Sequence, residues 1–274
     1  MPRFSANLGL LWPDRPLLQR IDAAARAGFR AIEMHVPYDV PAHEVAARCR
    51  QHDLALLGIN TSLGNAARGE RGLGALAGRE RDFHAAFEQS VTYCIASGAS
   101  AIHVMAGNVT PAERARARDV FTANLRIAAP KAASHGLRLL LEPLNPRDNP
   151  GYFYSTVAEA AALIHELGEP NVQLQFDVYH VACTEGDVLM KLAALLPLIG
   201  NVQIAAVPSR AEPDEGEIAY PAVFRALDAL GYQGWVGCEY KPRGATDDGL
   251  CWTSQLGADL SVTRVPRIES RERA

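Results

Sequence analysis

Four polar residues close or follow short apolar segments in the second half of the chain, and their types suit metal-assisted proton transfer. They are Glu142, Asp177, Gln203 and Glu239, and successive members are 35, 26 and 36 residues apart. Each interval matches one strand-helix repeat of a barrel, which would bring all four to the carboxyl ends of the strands. Three ionised carboxylates gathered there would repel one another. A bound divalent cation is the simplest way to keep all three ionised together. Three carboxylates and one amide form an all-oxygen set, which suits Mg²⁺ or Mn²⁺ better than zinc. Any one of these acids alone would be interpreted as a helix cap or a surface ion pair.

The elements that must position these side chains are eight short apolar segments, each followed by a turn signal and a helical pattern. This alternation predicts an α/β fold, a single (β/α)8 TIM barrel. The predicted strands are Phe4–Leu8, Ala31–His35, Leu56–Thr61, Ala101–Ala106, Arg138–Glu142, Gln173–Asp177, Asn201–Ala205 and Trp235–Tyr240. The prediction assigns residues 1–260 to the barrel domain and residues 261–274 to a polar C-terminal tail.

Helices are predicted between the strands from apolar spacing, capping residues and terminal glycines. Thr156 and Glu159 have capping-box spacing, which predicts a helix from Val157 that stops at Gly168. Pro130 should kink or split its helix, because the ring removes an amide and clashes one turn back. The glycine-rich segment Asn65–Gly78 predicts a long loop over one end of the barrel. Further helices are predicted near Leu17–Ala27, Phe83–Ser97, Arg116–Ser134 and Pro221–Leu230.

Composition and charge exclude several classes of protein. The chain has 274 residues, 48% hydrophobic and 21% charged, which excludes a disordered or low-complexity chain. The formal net charge of −4 gives no general attraction to nucleic acid or anionic lipid, so neither is expected as a partner. The longest uncharged stretch, Leu192–Ser209, is interrupted by Pro197 and Gly200 and is not expected to span a membrane.

Cysteine usage and short motifs bear on location and cofactors. The five cysteines are widely spaced and form no CxxC pair, which favours a reducing cytoplasm. No signal peptide is recognisable at the N-terminus. The glycines fit neither a dinucleotide-binding pattern nor a phosphate-binding loop, so no organic cofactor is expected. The sequence leaves the oligomeric state open, a homo-oligomer included.

Several long motifs carry a resemblance to a known family. Four segments matter most: Glu142–Phe153, Gln173–His180, Gln203–Arg210 and Gly234–Pro242. Together with Met1–Leu8 and His103–Gly107, they resemble the hydroxypyruvate isomerase family, within the xylose isomerase-like barrels. The resemblance spans residue 1 to about residue 257 and depends on several motifs in order.

The resemblance implies a single metal held by Glu142, Asp177, Gln203 and Glu239, with Glu142 and Glu239 as the proton-transfer pair. Interconverting a 2-oxo-3-hydroxy acid with its 2-hydroxy-3-oxo isomer requires one proton to leave a carbon and another to reach its neighbour. A cation that chelates both oxygens stabilises the intervening ene-diolate, while two carboxylates act as base and acid. We expect strands five and eight to face each other across the ring, so that Glu142 and Glu239 flank the substrate.

The family resemblance implies a small-molecule substrate of the hydroxy-oxo acid class. Two substrates fit this chemistry equally well. Hydroxypyruvate would give tartronate semialdehyde, and 2-oxo-tetronate would give 3-oxo-tetronate. The sequence does not separate them.

Two further side chains are predicted to bind substrate. His180 follows Asp177 by three residues, as in the Asp-x-x-His pattern of related epimerases, whose histidine binds a substrate oxygen or tunes a glutamate. Arg210 suits a substrate carboxylate, because a guanidinium binds it through two hydrogen bonds. The alternatives for Arg210 are a solvated loop position and an ion pair with Glu212.

The loop after the fifth strand contributes Asn145 and Asp148, which are predicted to contact substrate or to form turns. Elsewhere, Glu33 and His35 close the second strand near the mouth and could support the site from behind. His103 is placed at the start of the fourth strand, where it would pack locally.

Three rival functions remain. A ketose 3-epimerase uses the same glutamate pair, but such epimerases usually carry histidine where Gln203 stands. An endonuclease IV-like DNA repair enzyme needs several histidines around zinc, whereas Met105 and Gln203 occupy positions where two would be expected. A non-catalytic sugar-acid binding protein would keep Arg210 and His180 without needing two opposed glutamates.

Overall fold

Eight parallel strands form one closed barrel in the computed structural model, which describes residues 1–262. Each strand pairs with its neighbours in chain order, and β1 closes the ring by pairing with β8. The strands are β1 Arg3–Asn7, β2 Ala31–Glu33, β3 Ala55–Asn60, β4 Ala101–His103, β5 Arg138–Leu141, β6 Val172–Asp177, β7 Ile199–Ile204 and β8 Trp235–Cys238. The predicted TIM barrel is confirmed. Most of the predicted tail, residues 263–274, lies outside the described residues.

The helices form the outer layer around this barrel. They are α1 Leu17–Arg26, α2 Ala42–Gln51, α3 Glu80–Ser97, α4 Arg114–Ser134, α5 Val157–Leu167, α6 Val178–Thr184, α7 Val188–Leu195, α8 Tyr220–Ala229, α9 Thr246–Gly249 and α10 Trp252–Gln255. The five predicted helices correspond to α1, α3, α4, α5 and α8. Within residues 1–262, no helix is long and apolar enough to cross a membrane.

Local sequence signals explain where α5 begins and how α4 continues past a proline. At the start of α5, Thr156 Oγ1 accepts a hydrogen bond from the Glu159 amide at 3.2 Å, and the Glu159 carboxylate accepts one from the Thr156 amide at 3.1 Å. Helix α4 runs through Pro130 without a break, so the predicted split is wrong. Pro130 and Arg126 are exposed, so water can solvate the Arg126 carbonyl that loses its amide donor.

An apolar layer between strands and helices fixes the barrel wall. Phe4 on β1 packs edge-on against Phe224 of α8, with ring centroids 5.2 Å apart, and against Trp252 of α10 at 5.7 Å. The side chains of Ser5, Asn7 and Glu33 are also buried, although they are polar. The interior of the barrel is therefore a polar environment inside an apolar shell. The five cysteines are all unpaired.

The glycine-rich segment Asn65–Gly78 crosses the carboxyl end of the barrel, as predicted, with one short 3-10 turn at Ala66–Arg68. Gly72 pairs with Ala106, just beyond β4. Its φ is +118°, and a Cβ there would lie 2.3 Å from the Met105 carbonyl oxygen, so only glycine fits this close approach. The glycine anchors the loop beside the mouth of the barrel.

Candidate metal centre and active site

The four residues predicted at strand ends are all buried at the carboxyl end of the barrel. Glu142 directly follows β5, Asp177 is the last residue of β6, and Glu239 directly follows β8. Gln203 lies on β7 in register with Asp177. Glu142 and Glu239 do not arise from facing strands, because the closed order places β1, not β8, opposite β5. That expectation was wrong, since eight strands put opposite partners four positions apart.

Three of these residues each present one buried oxygen atom that has no hydrogen-bond partner within residues 1–262. The atoms are Glu142 Oε1, Asp177 Oδ2 and Gln203 Oε1. Buried polar atoms are nearly always bonded, so three such atoms from adjacent strands indicate a site for a group that binds oxygen lone pairs. A divalent cation fits this donor set, because carboxylate and amide oxygens are the ligands that Mg²⁺ and Mn²⁺ prefer.

The electrostatics of the carboxylates point the same way. Burial, together with the negative charges of Glu239 and Asp177, raises the pKa of Glu142 well above its usual range. Burial and the charge of Glu239 raise the pKa of Asp177 to about 7. Burial also opposes ionisation of Glu239, but the hydrogen bond and charge of His35 and the charge of Arg210 outweigh it and lower the pKa to about 2. A bound cation would favour the ionised forms of the first two.

His180 lies beside these acids, with Nε2 3.6 Å from Asp177 Oδ2 and 3.9 Å from Glu142 Oε1. The possible ligand atoms of Glu142, Asp177 and His180 all lie within 4.8 Å of one another, a spacing that a metal ion could bridge, and the hydrogen position on His180 decides whether its ring can take part. The His180 Nδ1 atom accepts a hydrogen bond from the Asn145 backbone amide at 3.0 Å. In the neutral ring the hydrogen must then sit on Nε2. Burial lowers the pKa of His180 to about 3, which keeps the ring neutral and makes Nε2 a donor toward the site.

Arg210 pairs with Glu239, not with Glu212. Its Nη2 donates to Glu239 Oε1 at 2.9 Å, and its guanidinium carbon lies 5.1 Å from the centroid of the Tyr179 ring. Glu212 is instead bonded to Arg243, at 3.0 Å. The guanidinium is thus held at the mouth by a carboxylate and an aromatic face.

Asn145 and Asp148 lie in the turn after Glu142 and support other side chains. The Asp148 amide donates to Asn145 Oδ1 at 2.9 Å, and the Tyr179 hydroxyl donates to Asp148 Oδ2 at 2.6 Å. Asn145 also fixes His180, as described above. Neither residue lines the cavity at the mouth, so their contact with substrate stays a prediction.

A cavity of about 170 Å³ opens at this end of the barrel, and both Glu142 and Glu239 line it together with His180 and Arg210. Sequence reasoning missed two of its other lining residues, Arg71 and His103. The structure places His103 at the end of β4, with Nδ1 3.3 Å from Glu142 Oε2, so its predicted place at the start of the strand is wrong. The apolar residues that follow His103 suggest a longer fourth strand than the β4 that the structure contains.

His35 follows β2 and lines the cavity, so the prediction that it lies near the mouth of the barrel is confirmed. Its Nε2 lies 3.4 Å from Glu239 Oε1. Asn7 donates from Nδ2 to the other Glu239 oxygen at 3.1 Å. Glu239 therefore has a partner on each oxygen, whereas Glu142 keeps one oxygen without a partner among the described residues.

Comparison with known proteins agrees with this geometry. The sequence profile described as the xylose isomerase-like TIM barrel matches residues 21–256. A 2-oxo-tetronate isomerase of Cupriavidus necator is 46% identical over 253 residues, which cover 92% of this chain and 97% of that protein. The hydroxypyruvate isomerase of Escherichia coli (strain K12) is 36% identical over 254 residues, 92% of this chain and 98% of that protein.

Among solved structures, one from Brucella melitensis described as an AP endonuclease, family 2, is 42% identical with a TM-score of 0.90, covering 93% of this chain and 99% of that one. A D-psicose 3-epimerase crystallised in the presence of D-fructose is 19% identical with a TM-score of 0.75, covering 96% of this chain and 100% of that one. At that identity the likeness to the epimerase concerns the fold alone.

Proposed function

The chain belongs to the hydroxypyruvate isomerase family of xylose isomerase-like TIM barrels, and we propose that it interconverts a short 2-oxo-3-hydroxy acid with its 2-hydroxy-3-oxo isomer. The observation that carries this proposal is the set of three buried, unpartnered oxygen atoms on Glu142, Asp177 and Gln203, of which Glu142 lines a small cavity together with Glu239. The relatives named above are isomerases of 2-oxo-tetronate and hydroxypyruvate, and both substrates contain this pair of carbons.

The residues that would hold the metal are Glu142, Asp177, Gln203 and Glu239. The first three offer the unpartnered oxygens, and Glu239, which lines the cavity together with Glu142, adds a carboxylate of low pKa. We propose Mg²⁺ or Mn²⁺, because His180 presents a hydrogen rather than a lone pair and the remaining donors are all oxygen. When bound, the cation supplies positive charge that stabilises the ene-diolate oxygens.

Glu142 and Glu239 perform the proton transfer in this proposal. In the direction from 2-oxo to 3-oxo acid, the C3–H bond breaks, a C2–H bond forms, and the hydroxyl proton moves from the C3 oxygen to the C2 oxygen. One carboxylate removes the C3 proton and the other delivers a proton to C2, and the roles exchange in reverse. No oxidant or reductant is needed, since the two carbons exchange oxidation states.

The remaining side chains bind and orient the acid. Arg210 offers a guanidinium to the substrate carboxylate, and the tyrosine face beneath it limits its freedom. His180 offers Nε2–H to a substrate oxygen next to the acids. A cavity of about 170 Å³ suits an acid of three or four carbons. The partner we propose is therefore a small acid rather than nucleic acid or a membrane, and the five unpaired cysteines fit the cytoplasm.

Proton NMR in D₂O tests the proposal. Purified protein with Mg²⁺ or Mn²⁺ is mixed with hydroxypyruvate or with 2-oxo-tetronate, and we expect the oxo group to move to C3 with deuterium entering at C2. The matched control is Glu142→Gln, which keeps the shape of the side chain and removes its ability to accept a proton. Retention of the 2-oxo group with exchange or inversion at C3 would indicate an epimerase instead. Absence of any change with both acids would refute the proposed function.

A further inference from the structure

The carboxylate of Glu33 is buried inside the barrel below the proposed metal centre, where three side chains donate to it. The Ser5 hydroxyl donates to Oε1 at 2.5 Å, Gln203 Nε2 donates to Oε2 at 2.8 Å, and Asn201 Nδ2 donates to Oε2 at 3.3 Å. Glu33 lies on β2 and Gln203 on β7, so this contact spans the barrel. A buried charge bonded to three donors is held in one position.

The barrel wall makes room for this contact at Gly237. Gln203, Gly237 and Ser5 occupy paired positions on β7, β8 and β1. A Cβ at position 237 would lie 2.4 Å from Glu33 Oε1 and 2.9 Å from Gln203 Cγ. The missing side chain on β8 therefore lets the β2 carboxylate reach the β7 amide.

The contact decides which end of the Gln203 amide faces the centre. The oxygen and nitrogen ends of an amide have nearly the same shape, but an ionised carboxylate only accepts hydrogen bonds. When Glu33 is ionised, Nε2 must therefore face it, as the structure shows, and Oε1 turns away, where it has no hydrogen-bond partner within residues 1–262. The residue in register with Gln203 is Asp177, whose Oδ2 is likewise unpartnered there.

We propose that Glu33 is a positioning residue that fixes the Gln203 amide with its oxygen presented to the metal, an inference that rests on the metal centre proposed above. Glu33 itself touches neither metal nor substrate in this arrangement. Partners of this kind commonly change metal affinity 10-fold to 100-fold when removed. A residue that only fills the barrel interior would change stability and leave metal affinity alone.

The test measures Mn²⁺ affinity of the chelator-stripped full chain by electron paramagnetic resonance of free Mn²⁺, without any need for turnover. We expect Glu33→Gln to bind Mn²⁺ about 10-fold to 100-fold more weakly, because the new amide no longer dictates the orientation of Gln203. Glu33→Asp keeps the charge but withdraws the carboxylate from Gln203, and we expect it to weaken binding as well. The matched control is Glu212→Gln, which makes the same change at a buried carboxylate bonded to Arg243, outside the proposed metal centre, and should leave Mn²⁺ affinity unchanged.

A double-mutant cycle separates orientation from simple loss of charge. If Glu33 acts through the amide, Glu33→Gln adds no further loss of Mn²⁺ affinity in a Gln203→Ala background. An equal loss in both backgrounds would overturn the inference, because the effect would then come from charge alone. Unchanged affinity in both Glu33 variants, with Gln203→Ala weakened, would also overturn it. If Gln203→Ala binds Mn²⁺ normally, or the native chain binds none, the proposed metal centre itself fails.

Discussion

The substitution Asp177→Asn should stabilise the metal-free protein while destroying its metal centre. The pKa of Asp177 is raised from its usual 3.8 to about 7 by burial and by the charge of Glu239. Because the folded-state pKa exceeds the unfolded-state value, the ionised side chain opposes folding once the pH passes about 4, and the cost is complete above pH 7. At about 1.4 kcal/mol per pH unit, this difference corresponds to about 4 kcal/mol.

Asparagine suits this position in other respects. Asp177 caps α6 by accepting a hydrogen bond from the Tyr179 amide on Oδ1 at 2.8 Å, and an asparagine oxygen caps equally well. The atom that becomes Nδ2 replaces Oδ2, which has no hydrogen-bond partner within residues 1–262, but it faces His180 Nε2, which carries a hydrogen, at 3.6 Å, and this offsets part of the gain. The substitution therefore removes a buried charge without losing the cap.

Urea unfolding of chelator-treated protein checks this prediction. The gain of the variant over the native chain should be near zero at pH 4 and rise with pH to at most about 4 kcal/mol at pH 8. Saturating Mn²⁺ at about 100 times its Kd should add about 2.7 kcal/mol to the native chain and nothing to the variant. Asp148→Asn is the control, since the hydrogen bonds of Tyr179 and Asn145 outweigh burial and lower the pKa of Asp148, so its loss should destabilise at pH 8. A variant less stable than the native chain at pH 8, or a gain independent of pH, would refute the reasoning.

Three further substitutions address the site. Glu142→Gln should lower kcat by about 10² to 10⁴, the usual contribution of a positioned acid or base, and unchanged kcat in steady-state assays would remove Glu142 from the proton transfer. Arg210→Met should raise KM for the acid substrate. Because it removes the nearest cation of Glu239, it should also raise the pKa of Glu239 and shift the acidic limb of the kcat/KM profile to higher pH. An unshifted limb would count against the pairing of Arg210 with Glu239. Gly237→Ala should lower the free energy of unfolding in urea by about 1–3 kcal/mol and weaken Mn²⁺ binding, because the new Cβ would collide with Glu33. Wild-type stability of this variant would show that the barrel interior adjusts freely.

The fold and the strand-end residues were predictable because they depend on local signals. Eight apolar strand segments alternate with helical segments, and this repeat brings successive strand ends together whatever the details of the loops. Glu142, Asp177, Gln203 and Glu239 stand out as polar residues that close apolar segments, so their meeting at one end follows from the fold. The capping box of α5 is local as well, and it appears where the sequence places it.

The partners of these residues were not predictable, since they come from distant parts of the chain. The contact between Glu33 and Gln203 joins residues 170 positions apart, and only closure of the barrel brings them together. His103 was misplaced because the apolar residues that follow β4 resemble a continuing strand, although pairing stops at His103. The hydrogen on His180 Nε2 depends on the backbone amide of Asn145, which no pattern in the sequence indicates.

The amide at position 203 explains why the interior of this barrel carries a buried acid at all. A carboxylate ligand presents a lone pair in either of its two orientations, whereas a glutamine presents one in only one orientation and a repelling N–H₂ in the other. A glutamine that serves as a ligand, as proposed for Gln203, therefore needs an acceptor behind it, and Glu33 accepts a hydrogen bond from its Nε2. Burial raises the pKa of Glu33 to about 7 even though its three hydrogen-bond donors act in the opposite direction, so the protein carries a stability cost for this arrangement. That cost is understandable if the orientation of Gln203 is what metal binding requires.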